Sequence, residues 1–267
     1  MTRPDMDKTL LKGLMILEII AKSDQGAMSI SELANATGLT RSNVHRVLQT
    51  LAYAGYLTQH PETGLYESNT RLFELGVQQI SRLDVRRIAP PHMRTLVEQV
   101  GETTHLSILQ GIDVVYIDEV PGPQPVRTHT VVGDRAPAYA VATGKALLSQ
   151  RPLSYVEAYA DALQPHTRAT NCTLRAVARD LEKCARQGYA VNRGEWRESV
   201  AGVAAPIFGR DGSAIAAIGI SAPMDRLTAA TAARIGPVVR EAAQAISARL
   251  GYRSAEIQPA SGASSVR

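Results

Sequence analysis

Helical spacing over residues 41–54 separates two kinds of side chain. At ~100° per residue, Val44, Val47, Leu48 and Leu51 gather on one side. Ser42, Arg46 and Gln49 fall opposite, flanked by Asn43, His45 and Thr50. The second set can address nucleic acid. A guanidinium matches guanine, an Asn or Gln carboxamide matches adenine, and a Ser hydroxyl can bond a base or a phosphate. Thr40 is placed to cap the helix and Arg41 follows it, so the positive helix end and its free amides suit a backbone phosphate. Thr40, Arg41, Ser42, Asn43, His45, Arg46 and Gln49 are therefore the candidate DNA contacts. The stretch from Leu33 to Pro61 contains no acid, which removes charges that would repel phosphates.

The second half offers other candidates. Thr143-Gly144-Lys145 is expected to open a helix, a favourable place for an anion. It is not a phosphate-binding Walker motif, because Tyr139 stands at the first Gly position and Ala146 at the Ser/Thr position. Ser, His, Asp and Lys occur nearby, but in no nucleophile elbow, metal motif or dinucleotide fingerprint. His105, His129 and His166 are scattered, as structural or surface histidines are. Cys172 and Cys184 are twelve positions apart with no CxxC. No catalytic residue, metal or cofactor is expected.

Elements must position these groups. Leu10, Leu14, Leu17 and Ala21, at i, i+4, i+7 and i+11, predict a helix over about 9–22. Ser29-x-x-Glu32 forms a capping box before a short helix that turns Ile30, Leu33 and Ala34 inward. Gly38 can take the positive φ that ends it. The sharp turn at Gly38 lets this supporting helix meet the polar-faced one. Two short strands around "HPETG" supply a wing, completing a winged helix-turn-helix. A helix from about Arg71 is expected to break or kink at Ala89-Pro90-Pro91. Beyond it, "HLSILQG" and "DVVYIDEV" form a hairpin and "PVRTHTVV" a third strand. Helices follow in "TGKALLSQ", "LSYVEAYADAL" and "RAVARDLEKCARQG", then strands in "VAGVAAPIF" and "SAIAAIGISA", and a long helix over about 226–250.

The 267 residues allow about two domains. With 45% hydrophobic and 20% charged residues the composition is that of a soluble globular protein. No apolar run approaches the ~18 residues of a membrane span, and "MTRPDMDK" lacks a signal-peptide pattern, so a cytoplasmic location and no membrane partner are expected. Net charge is +4, yet residues 1–90 hold ten Lys/Arg and nine Asp/Glu, only +1. Any nucleic-acid footprint must come from local placement of charge.

"KGLMILEII" followed by "SISELANATGLTRSNVHRVLQTLAYAGYL" resembles the DNA-binding domain of IclR-type bacterial transcription regulators. The resemblance continues through "VGDRAPAYAVATGKALLS", "GYAVNRGEWRESVAGVAAPIF" and "AAIGISAP", covering about Lys8 to Leu250. It implies an α+β protein: a winged helix-turn-helix over 1–70, a linker helix over 71–90 and a GAF-like effector-binding domain over 91–251; the polar, small-residue composition of the end predicts a disordered tail over 252–267. It further implies dimers or dimers of dimers on double-stranded operator DNA, and a small-molecule effector. The family's pocket falls on Thr128, Ala142, Thr143, Asn192, Val200, Gly202, Gly219 and Ser221. Relatives that take very small acids tend to carry polar side chains where Gly202 and Gly219 stand, which implies a roomier pocket here for a larger organic acid or aromatic compound. Arg193, beside Asn192, could pair with a carboxylate, and Trp196 could line the pocket or a subunit interface. The function implied is a ligand-responsive regulator of a catabolic operon. An enzyme or an oligomerisation module in the second half are the competing classes.

Overall fold

The computed structural model describes residues 7–23, 26–81, 83–128 and 130–253. The chain divides into two compact units, residues 1–82 and 83–267. Among the described residues, no helix is long and apolar enough to cross a membrane.

The first unit opens with α1 (Lys8–Ala21), capped by the Asp7 carboxylate. Its buried side chains are Ile16 and Ile20, while Leu10 and Leu14 are 62% and 48% exposed. The expected helix is present, and its core face is the one bearing Ile16 and Ile20. α1 carries two apolar stripes at helical spacing, and periodicity alone does not choose between them. A short strand β1 (Ala27–Met28) precedes α2 (Ile30–Thr37). The capping box at α2 closes in both directions: Glu32 N–H donates to Ser29 Oγ at 3.2 Å and Ser29 N–H to Glu32 Oε2 at 2.7 Å. Gly38 ends α2 at φ 69°. After it come α3 (Arg41–Tyr53), β2 (Leu57–Gln59) and β3 (Tyr66–Ser68). The three strands form an antiparallel sheet in the order β1-β3-β2. Leu33, Val44, Leu48, Leu57 and Tyr66 join Ile16 and Ile20 in one core, so the wing and α3 share a single packed base.

Helix α4 (Thr70–Ser81) belongs to the first unit and α5 (Asp84–Val100) to the second. The expected single helix over 71–90 is thus two helices, and Pro90-Pro91 lie inside α5 rather than ending it. Val85, Ala89, Met93 and Leu96, at spacings of four, four and three, are buried in the second unit's core on both sides of the prolines. That packing outweighs the two missing N–H donors. The tail expected over 252–267 lies outside the described residues from 254 onward.

The second unit is built on a six-stranded antiparallel sheet. Its strands are β4 (Thr103–Gln110), β5 (Asp113–Val120), β6 (Arg135–Pro137), β7 (Ala190–Arg193), β8 (Val200–Phe208) and β9 (Ala214–Pro223), in the order β6-β5-β4-β9-β8-β7. The expected strand over 125–132 is an irregular segment instead, and β6 begins at Arg135. Pro125 opens that segment without a backbone donor, and the Thr130 amide donates to the Glu119 carboxylate at 3.0 Å rather than to a neighbouring strand. Along β8, Val203, Ala205 and Ile207 face the core formed with α5 and α9 (Ala229–Arg249), while Ala204 faces the opposite layer. That layer contains α6 (Ala142–Leu148), α7 (Leu153–Glu157) and α8 (Leu174–Gln187).

Candidate functional site

On α3 the division into two faces is physical. Val44 and Leu48 are fully buried, while Arg41, Ser42, His45, Arg46 and Gln49 are exposed, as is the capping Thr40; Asn43 is half-buried. Thr40 Oγ1 accepts from the Asn43 amide at 3.3 Å. Two exposed side chains are already oriented. Arg46 donates to Asn43 Oδ1 at 3.1 Å, one turn back, and Gln49 Nε2 donates to the hydroxyl of Tyr66 on β3 at 3.3 Å. The second bond holds Gln49 against the wing.

In the second unit, the sheet register lays out a cavity. One row across the strands reads Asn192, Gly202, Ser221, Thr103, and the next reads Ala190, Ala204, Gly219, His105, Glu119. Small residues in the second row let α6 approach: a Cβ on Gly219 would lie 2.8 Å from Ala204 Cβ and 2.9 Å from Thr143 Cγ2. Gly144 does the same on the other side of α6, since a Cβ there would lie 2.3 Å from the Ala138 backbone. The cavity left under this packing is about 70 Å³. His105, Tyr116, Thr128, Thr130, Val141, Ala142, Thr143, Asn192, Trp196, Arg197, Val200, Gly202, Ile220 and Ser221 line it.

Its polar groups form a chain. Ser221 Oγ bonds both His105 Nε2 and Thr128 Oγ1. His105 is wholly buried, which pushes its pKa down to about 4, so the imidazole is neutral at pH 7. Burial pushes the Tyr116 phenol up to about 12. Thr143 Oγ1 has no well-aligned hydrogen-bond partner, although the Tyr116 phenol lies beside it. Two loops close the cavity. The segment carrying Thr128 is held by Arg226, which grips Glu102 through two bonds of 2.7 and 2.8 Å and donates to Val126 O at 2.9 Å. The loop carrying Trp196 and Arg197 is held by Thr167, donating to Gly194 O at 2.6 Å, and by Glu195.

Glu195 reaches beneath that loop to Lys145, at 2.5 Å from Nζ, and Asp180 of α8 meets the same ammonium at 2.6 Å. Lys145 also donates to Val191 O at 3.1 Å. Burial disfavours this ammonium, but the two carboxylates outweigh it and its pKa lies above the ordinary value. Burial raises Glu195 against the pull of Lys145. The lysine is thus committed to the protein's own acids and leaves no charge for an anion at the start of α6.

The family model described as "Bacterial transcriptional regulator IclR C-terminal" matches residues 77–248, and the one described as "IclR helix-turn-helix domain" matches residues 9–61. The chain belongs to the IclR family. It is 32% identical to the DNA-binding transcriptional repressor YiaJ of Escherichia coli (strain K12), over 94% of this chain and 90% of that protein. The crystal structure of Thermotoga maritima IclR is similar at 31% identity and a TM-score of 0.73, covering 91% of this chain and 99% of its own. An IclR homologue from Microbacterium hydrocarbonoxydans, solved in complex with 4-hydroxybenzoate, matches at 26% identity and a TM-score of 0.76, again covering 91% and 99%. The protein is a transcription regulator of α+β fold with an N-terminal helix-turn-helix and a C-terminal effector domain.

In this IclR-family chain, Thr128, Ala142, Thr143, Asn192, Val200, Gly202 and Ser221 surround the cavity. Arg193 does not: its guanidinium donates to Leu227 O, away from the lining. Gly219 does not either, because α6 fills the space beside it. Nor does Gly202 add room, since a Cβ there would lie 2.7 Å from Asn192 Oδ1. The expectation of a roomier pocket is corrected: both glycines accommodate neighbours already in place. His105, Tyr116, Thr130, Val141, Arg197 and Ile220 were missed. His105 had a sequence signal, as the middle of three polar residues, Thr103, His105 and Ser107, at alternate positions on one strand. Trp196 lines the cavity, with the Arg197 guanidinium 4.4 Å above its ring. His129 lies outside the described residues.

Proposed function

We propose that this regulator is an operator-binding repressor whose DNA affinity is set by a small organic acid held in the second unit's cavity. It acts in the cytoplasm as a dimer or dimer of dimers and places a catabolic operon under that acid's control. The observation that carries the DNA half is α3, with its buried Val44/Leu48 stripe and its opposite row of exposed Arg46, Gln49, Ser42 and His45. Arg46 and Gln49 meet base edges in the major groove, while Thr40 and Arg41 meet a phosphate. The cavity's buried polar groups support a ligand there, and the acid carried by the Microbacterium homologue supports its class. Selection from a random duplex pool tests the DNA half. Wild type should enrich one sequence, and Arg46→Ala should bind it about 1–3 kcal/mol more weakly with relaxed preference. Equal weakening on random DNA would make Arg46 a phosphate contact only, and no enrichment by wild type would end the operator reading.

The side chains Ser221, His105 and Glu119, from neighbouring rows of the sheet, have the composition of a hydrolase triad, which gives an enzymatic reading its one specific support. The geometry argues against it. His105 Nδ1 lies 3.7 Å from Glu119 Oε2 without a hydrogen bond, and an imidazole held near pKa 4 is a poor base at neutral pH. Turnover of p-nitrophenyl acetate that disappears in His105→Gln would restore the enzyme.

A further inference from the structure

Among the described residues that line the cavity, Arg197 is the only charged one, its neighbour His105 being neutral. Its side chain is exposed at the cavity's edge and stacked on Trp196. Among the described residues, no carboxylate pairs with it. Glu195, two positions earlier, is turned to Lys145. The guanidinium's field reaches the Tyr116 phenol, which also lines the cavity. A guanidinium without a carboxylate partner at the rim of a cavity is a place for a ligand carboxylate, which it can grip with two parallel bonds.

Behind it the cavity is small and rich in hydroxyls. A cavity of about 150 Å³ takes a benzene ring. The 70 Å³ found here is less than half of that. It suits a few hydroxylated carbons better than an aromatic ring. Two buried atoms in the lining are unpartnered, His105 Nδ1 and Thr143 Oγ1. Asn192 Oδ1 fills the place a side chain on Gly202 would take and adds an acceptor. A buried donor or acceptor without a partner is unfavourable, so a ligand carrying hydroxyls is favoured over an apolar one.

We infer that the effector is a short aliphatic hydroxy acid, with its carboxylate on Arg197 and its hydroxyl-bearing end among Ser221, His105, Thr143 and Asn192. This rests on the cavity being the effector site. Arg197 selects for charge, and the cavity's size selects against rings.

Calorimetry on the full chain tests it with four probes: D-glycerate, L-lactate, the uncharged lactamide, and 4-hydroxybenzoate. Wild type should bind lactate at least tenfold more tightly than lactamide, and Arg197→Gln should erase that ratio while leaving lactamide unchanged. Arg197→Lys should restore part of it. Ser221→Leu should abolish binding of every probe; if that variant does not fold, Thr128→Leu serves. Equal affinity for lactate and lactamide in wild type, or an unchanged ratio in Arg197→Gln, overturns the role of Arg197. Tighter binding of 4-hydroxybenzoate than of both hydroxy acids, or binding of no probe, overturns the ligand class. In the first of these cases, loss of binding in the blocked variant keeps the cavity as the effector site. Binding that survives the block refutes the cavity reading itself.

Discussion

At the scale of single residues, His105 links the cavity to pH. Its folded pKa of about 4 lies below the ~6.5 of an unfolded chain. Between those values the unfolded state binds the extra proton, so acid favours unfolding. The contribution is whole above about pH 6.5, falls as the pH drops, and levels off below about 4. Its full size is on the order of 3 kcal/mol. Melting temperature should therefore fall more steeply from pH 6.5 to 4 in wild type than in His105→Gln, and parallel curves would show that the imidazole is not held neutral. Gly202 gives a second prediction at this scale. A methyl at this position meets Asn192 Oδ1 at 2.7 Å and Ile220 O at 3.0 Å. Gly202→Ala should lower stability by about 1–3 kcal/mol and weaken effector binding by displacing Asn192, as denaturant titration and calorimetry would show. An unperturbed variant would mean that the cavity wall yields freely. Neither close approach can be recognised in sequence, because a glycine that makes room for a ligand and one that makes room for a helix are the same letter.

At the scale of elements, α6 is tied to both the sheet and the cavity loop. Lys145, only 2% exposed, joins α6 to Asp180 of α8 and to Glu195 beneath Trp196. Removing it strands two carboxylates. Lys145→Met should cost about 3–5 kcal/mol in denaturant unfolding, and a loss below 1 kcal/mol would mean that the acids relax into water. The elements of the first unit were legible because each has a local cause: the capping box at Ser29 and Glu32, the positive φ at Gly38, and the alternation around "HPETG". Most of the effector-domain elements were legible too, from apolar runs long enough to fix their type. Two were not. The segment over 125–132 alternates like a strand, yet its Thr130 amide is spent on the Glu119 side chain rather than on a ladder. α5 carries prolines that local rules treat as an end, yet its buried face continues past them. The cavity was legible as far as the family resemblance carried it; His105, Tyr116 and Arg197 come together only through strand order and loop closure.

At the scale of the whole molecule, the first unit has too little charge to hold DNA by itself. Residues 1–82 hold eight Lys/Arg and eight Asp/Glu and sum to zero, and nonspecific affinity grows with the number of phosphates neutralised. Two linked half-sites would overcome this by effective concentration, which raises apparent affinity by about 10²–10⁴ without a new contact. The unit also exposes apolar side chains that a lone domain would bury: Leu10, Leu14 and Met15 on α1, and Phe73 and Val77 on α4, with Phe73 73% exposed. Such surface marks a place for a partner, and the simplest partner for a regulator of paired half-sites is a second copy. Leu83, by contrast, packs into the second unit's core and is not available. Leu14→Glu and Phe73→Glu alter exposed positions, so each should leave the fold and single half-site binding intact. Each should shift the protein toward monomer in sedimentation and lower affinity for a two-half-site operator by at least a hundredfold. The same variants should blunt the effector response, since a ligand changes operator affinity only through its differential affinity for the DNA-competent and incompetent arrangements. A wild type that sediments as a monomer at micromolar concentration, with full operator affinity, would refute the paired arrangement. In that case the exposed faces of α1 and α4 would need a different occupant.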